Sequence, residues 1–168
     1  YREDIRKMHK LQEQYLFLAR HNIHSAEELV GTIASLTDKK KETSAEKSRI
    51  YKARERSREL FTAADEMENL KPAEQSYRLG DTFFEDEHRK WVALEQELQA
   101  QGYSLEEVQA LRRHYKEEYS EVCAKEKVVF RELNTGKAIL NSMIPDSISD
   151  GRKTEYNREI IRDRKEQP

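Results

Sequence analysis

The chain has 168 residues, of which 38% are Asp, Glu, Lys or Arg and 36% belong to the broad hydrophobic set, with only five Gly and three Pro. A mean hydropathy of -1.04, with no apolar run near the roughly 18 to 20 residues a bilayer requires, excludes a membrane span, and the scarcity of turn-formers argues against a sandwich or barrel. The net charge of -2 makes no whole-chain case for nucleic acid, and the single Cys123 excludes an internal disulfide framework or a cysteine-based zinc site while fitting a reducing, cytoplasmic setting. What remains is an all-α chain.

Ile5, Met8, Leu11, Tyr15 and Leu18 recur at intervals of three and four, predicting a first amphipathic helix over about residues 2 to 21. The chain opens on Tyr1 with no initiator Met, directly in this helical run, as expected of a piece of something larger. After the polar break at His21 to His24, Ser25-Ala26-Glu27-Glu28 has the form of a capping box, in which the Ser hydroxyl and the Glu carboxylate satisfy amides at the helix start. A long helix over 26–70 is predicted from there, with Lys40, Thr43 and Lys47 making its seam polar in the middle and Lys71-Pro72 ending it. A short stretch, 73–79, precedes Gly80-Asp81, and a stripe through Phe84, His88, Trp91 and Leu98 predicts a helix over 82–101, with Gly102 as its C-terminal cap.

A second capping box, Ser104 with Glu107, opens a helix over 105–143. Tyr115, Tyr119, Val122, Glu126, Val129, Leu133, Gly136, Leu140 and Met143 alternate four and three, a coiled-coil seam. Residues 1–145 are thus expected to form an elongated antiparallel hairpin of the two long helices with shorter flanking ones, and 146–168 a charged linker or disordered tail. An intermolecular coiled coil, including a homodimer, satisfies the same pattern.

Few residues offer catalytic chemistry. His21 and His24 form an H-x-x-H pair, but no third ligand has a fixed spacing to them, and a histidine at a helix end is explained by the dipole. Cys123 has no base beside it, and no phosphate loop, nucleophile elbow or metalloprotease motif occurs. No cofactor or metal is expected, nor an active site, because none of the carboxylates stands alone in apolar surroundings. Charge is segregated instead. From Lys39 to Arg58 nine basic residues face three acidic ones, and from Asp81 to Glu107 eight acidic residues face two basic ones. The basic residues Lys39, Lys40, Lys41, Arg49, Lys52, Arg54, Arg56 and Arg58 are therefore candidate DNA contacts. The competing reading pairs this stretch with Glu117, Glu118, Glu121 and Glu126. Tyr115, Tyr119 and Phe130 fall in or beside the seam and read as core.

The order of these parts resembles the C-terminal helical region of relaxase/mobilisation nucleases from conjugative elements of Gram-positive bacteria. The run LQEQYLFLARHNIHSAEELV matches an LxFLxExGIxSxEEL-like theme through Leu16, Leu18, Ile23, Ser25, Glu27, Glu28 and Leu29, and the far end matches a tyrosine-rich run through Tyr115, Tyr119, Glu126 and Leu133. The resemblance covers nearly everything up to Met143. It implies a non-catalytic bacterial module that contacts DNA at the transfer origin, relaxosome partners, the coupling protein or a second copy of itself. The nicking tyrosine and histidine cluster of such nucleases belong to another domain, and no catalytic residue is carried over. A generic cytoplasmic coiled-coil scaffold is the alternative.

Overall fold

A computed structural model describes residues 1–144, so the expected tail at 146–168 lies outside the described residues. Among the described residues five α-helices follow one another: α1 (Arg2–Arg20), α2 (Ala26–Arg56), α3 (Arg58–Arg78), α4 (Glu85–Ala100) and α5 (Leu105–Ser142), with a 3-10 turn at Thr82–Phe84 before α4. The protein is all-α, and no strand occurs among the described residues.

Local chemistry sets the helix ends. At α2 the Glu28 amide donates to Ser25 Oγ at 3.1 Å, while the Glu28 carboxylate accepts from the His24 amide at 2.6 Å. At α5 the box closes fully, with Glu107 N–H to Ser104 Oγ at 3.2 Å and Ser104 N–H to Glu107 Oε2 at 2.9 Å. Three C-termini end in the same paired turn. Asn22, Gly80 and Gly102 adopt positive φ. Each sends its amide back three residues, and the amide of the next residue reaches back five, as in Gly102 to Gln99 at 2.9 Å and Tyr103 to Leu98 at 3.0 Å. The apolar contact this motif favours is supplied by buried Ile23 near Leu18 and by Tyr103 packed on the cluster that contains Leu98.

The expected helix over 26–70 is instead two. Ser57 interrupts it: its amide is shared between Ala53 O at 3.3 Å and Arg54 O at 3.1 Å, and its hydroxyl donates to the same Ala53 carbonyl. Serine back-bonding of this kind competes with the helix ladder and marks the join between α2 and α3. Pro72 does not end α3, which continues to Arg78 through it. An interior proline costs about 3 kcal/mol. The following turn offsets that cost through Glu74, which is buried and bonded to His88 and Arg78, and through Tyr77, stacked on the His88 ring at 4.2 Å. The separate stretch expected at 73–79 is therefore the last part of α3.

The chain divides into two compact units, Tyr1–Ala45 with the chain from Ala124 onward, and Glu46–Cys123. Both divisions fall inside helices, α2 and α5, and the one in α2 lies within its polar middle. In the first unit Phe17 and Ile23 pack with Leu29, Val30, Ile33 and Leu36 of α2 and with Leu133, Ile139 and Leu140 of α5. Gly136 permits the approach: a Cβ there would lie 3.0 Å from Phe17 Cζ and 3.1 Å from Ile33 Cγ1. The polar seam residues are accommodated, since Thr43 is buried with its hydroxyl on the Lys39 carbonyl, and Lys40 Nζ sits 4.5 Å above the Phe130 ring.

In the second unit Leu60, Phe61, Ala64 and Met67 of α3 pack with Trp91 and Leu98 of α4 and Val108 of α5, with Tyr115 against them. Arg112 reaches Phe61 and Asp65, and Gln109 bonds Glu68, so α3 and α5 run antiparallel here. The α5 seam holds in both units: Val122, Leu133 and Leu140 are buried and Tyr115, Tyr119 and Val129 half-buried. Met143 and Phe130 are exposed, contrary to their reading as seam or core. The larger correction concerns α1, where Ile5, Met8, Leu11 and Tyr15 are all exposed. Its anchor is Phe17, which lies off that stripe.

Candidate nucleic-acid interface

The basic candidates are split between the units. Lys39, Lys40 and Lys41 belong to the first, where Lys40 is held on Phe130 and Lys41 pairs with Asp38 at 3.7 Å. Arg49, Lys52, Arg54, Arg56 and Arg58 belong to the second and are all exposed. On α2, Arg49, Lys52 and Arg56 stand at i, i+3 and i+7 and so share one face. Lys47 Nζ lies 5.9 Å over the Tyr119 ring.

Arg54 and Arg58 open onto a groove of about 740 Å³ whose walls also carry Tyr51, Glu55, Asp65, Arg112 and Lys116. Four cations thus meet two carboxylates. Both carboxylates are engaged: Asp65 accepts from Arg112 at 2.7 Å, and Glu55 lies 4.0 Å from Arg58. The hydrogen bond from Arg112, aided by its charge, outweighs the opposing effect of burial and holds the Asp65 carboxyl below its ordinary value. The Arg112 guanidinium also donates to the Phe61 carbonyl at 2.8 Å and stands 5.0 Å over the Phe61 ring, which fixes it as part of the wall. Arg54 and Lys116 make no ion pair among the described residues. Tyr51, 54% exposed, presents a phenol ring at the same groove.

Of the four expected acidic partners, Glu126 is engaged. Glu118 pairs with His114 at 3.3 Å, and Glu117 and Glu121 form no ion pair among the described residues. Much of the acidic run from Asp81 to Glu107 serves helix starts instead. Asp81 caps the 3-10 turn, Glu85, Asp86 and Glu87 occupy the first turn of α4, and Glu107 completes its capping box.

Sequence reasoning missed Tyr51, Arg112 and Lys116. The i, i+4 spacing of Arg112 and Lys116 on α5 was an available signal, because it puts both on one face. It also missed Glu74, a carboxylate only 2% exposed, with Arg78 Nε at 2.6 Å and His88 Nδ1 at 2.7 Å. Burial raises the Glu74 pKa, but these two hydrogen bonds and their charges outweigh it, so the carboxyl lies below its ordinary value. It is a clamped structural anion. The first unit holds a similar arrangement, with Glu132 between His21 at 2.6 Å and Arg20 at 3.0 Å. His21 and His24 are accordingly directed apart, His24 Nε2 lying 2.9 Å from Asn22 Oδ1. Among the described residues no cluster of three or more His, Cys, Asp or Glu is placed to hold a metal, and no helix is long and apolar enough to cross a membrane.

No protein-family profile, curated protein or solved structure matches the chain.

Proposed function

We propose that this chain is a non-catalytic helical module of a conjugative-transfer relaxase, bacterial and cytoplasmic, that contacts a DNA strand and works alongside relaxosome or coupling proteins. The observation that supports DNA contact is the groove of the second unit, where Arg54, Arg58, Arg112 and Lys116 surround an exposed Tyr51. Cations along a groove neutralise successive phosphates, and an exposed ring accepts a base in stacking, a combination suited to single strands. The tie to relaxases rests on the order of the α1–α2 segment and the tyrosine-rich run of α5.

Fluorescence anisotropy of a labelled single-stranded oligonucleotide with the 168-residue chain tests the reading. Affinity should fall steeply with salt, and Arg54→Glu/Lys116→Glu should weaken it and flatten the log–log salt slope by about 1.4, or roughly 0.7 per lost phosphate contact. Lys39→Glu/Lys40→Glu/Lys41→Glu tests the first unit in the same assay. Absence of binding at low salt, or binding indifferent to charge reversal in the groove, would sink the proposal.

A further inference from the structure

The helix α1 is two-sided. One side carries Phe17, fully buried at the meeting of α1, α2 and α5. The other carries Ile5 (38% exposed), Met8 (68%), Leu11 (65%), Tyr15 (71%) and Leu16 (51%), none of which joins either buried cluster. At about 100° per residue Ile5, Met8, Gln12 and Tyr15 form a central strip, with Leu11 flanking it on one side and Leu16 on the other. We infer that this face pairs with the same face of a second copy of the chain, as a parallel two-helix coiled coil.

Two features select that occupant. The first is size. At these exposures the five side chains present roughly 600 Å², the upper end of what a monomer ordinarily leaves bare. Two copies together bury at most about 1,200 Å², which reaches the lower bound of a specific interface only when both faces are covered fully, as self-pairing of matching stripes does. The second is spacing. Ile5, Met8, Gln12 and Tyr15 fall on successive a and d positions of a heptad, which places Leu11 at g and Leu16 at e. In a parallel pair, g of one helix meets e of the next heptad on the other, five residues on. Leu11 then covers Leu16 of the second copy on both sides of the seam. In the antiparallel arrangement g meets g, so Leu11 meets only its own equivalent and Leu16 falls opposite Arg2. Gln12 at a is the single polar residue of the strip, of the kind that sets register at some cost in stability. An interface of this size lies at the small end of specific ones, so the dimer is expected to be concentration-dependent.

The inference is independent of DNA binding. Sedimentation equilibrium of the 168-residue chain should show a concentration-dependent dimer. Met8→Glu/Leu11→Glu should weaken association at least tenfold, with a thermal melt unchanged at concentrations where the wild type is monomeric, because both side chains are exposed in the single chain. A wild-type chain that stays monomeric up to its solubility limit overturns the inference, as does a dimer that survives the double substitution. Orientation is read in a Cys123→Ser background. Met8→Cys should form an intermolecular disulfide with itself faster than with a Gln12→Cys chain, and the reverse order overturns the parallel register.

Discussion

Glu74→Gln is the sharpest test of how the second unit is held. The substitution keeps the shape of a side chain that is 2% exposed and removes its charge, leaving Arg78 Nε at 2.6 Å and His88 Nδ1 at 2.7 Å with one acceptor oxygen where there were two. Hydrogen bonds to a charged group contribute about 1.5–3 kcal/mol each, but Arg78 is mostly in solvent and His88 partly so, and screening plus the remaining amide oxygen reduce the loss to about 2 kcal/mol at pH 7. The pH dependence follows from the lowered pKa. The folded chain holds Glu74 ionised below its ordinary value of 4.5, so its contribution is complete above that pH and disappears as pH falls through the folded value. Gln cannot take up that proton. The gap between wild type and variant in urea-unfolding stability, followed by circular dichroism from pH 7 downward, should therefore be full above pH 4.5 and narrow as pH falls below it. Equal stability at pH 7, or a gap that stays constant on acidification, would refute the account of Glu74 as a clamped anion.

The remaining predictions concern packing and backbone. Gly136→Ala places a methyl 3.0 Å from Phe17 Cζ and 3.1 Å from Ile33 Cγ1, so the gain of about 1 kcal/mol in helix propensity should be outweighed by an overpacking cost of 1–3 kcal/mol, read as a lower thermal midpoint. Phe17→Ala alone should cost about 3–5 kcal/mol, and combining it with Gly136→Ala should cost less than the sum, because the smaller residue makes room for the methyl. A double-mutant cycle in urea checks this, and strict additivity would contradict the contact. Gly102→Ala meets no atom within 4 Å but must adopt φ +85°, so its cost of about 1 kcal/mol is purely conformational, and Gly102→Asn should recover part of it.

The features legible in the sequence are those decided within one or two turns. Ser25 with Glu28, Ser104 with Glu107, and Gly102 all act through bonds to residues three to five positions away, and each forms where the pattern placed it. The α5 seam was equally legible, because a long three-four alternation has only one inward face. What escaped depends on distant partners. Pro72 reads as a stop by its own chemistry, and only the burial of Glu74 against His88, fourteen residues away, explains why α3 passes through it. The groove was half visible: Arg54 and Arg58 belong to an obvious basic run, but Arg112 and Lys116 reach it from α5 across a separation no periodicity reports.

The histories of α1 and the basic stretch share a physical cause. An amphipathic stripe states that a helix has an apolar face, and a charge run states that it has a cationic one, but neither states which neighbour satisfies it. In α1 the first unit's core is built on Phe17, supported by a glycine on α5, and this choice leaves the regular stripe uncovered. In α2 two of the four nominated carboxylates, Glu117 and Glu121, form no ion pair among the described residues while Glu126 is engaged, and the acidic run at the start of α4 serves helix caps and dipoles. Both faces keep exposed side chains, apolar ones on α1 and Arg54, Arg58 and Tyr51 at the groove. They lie in different units, so the proposed association through α1 and the proposed DNA contact through the groove are separable by substitution.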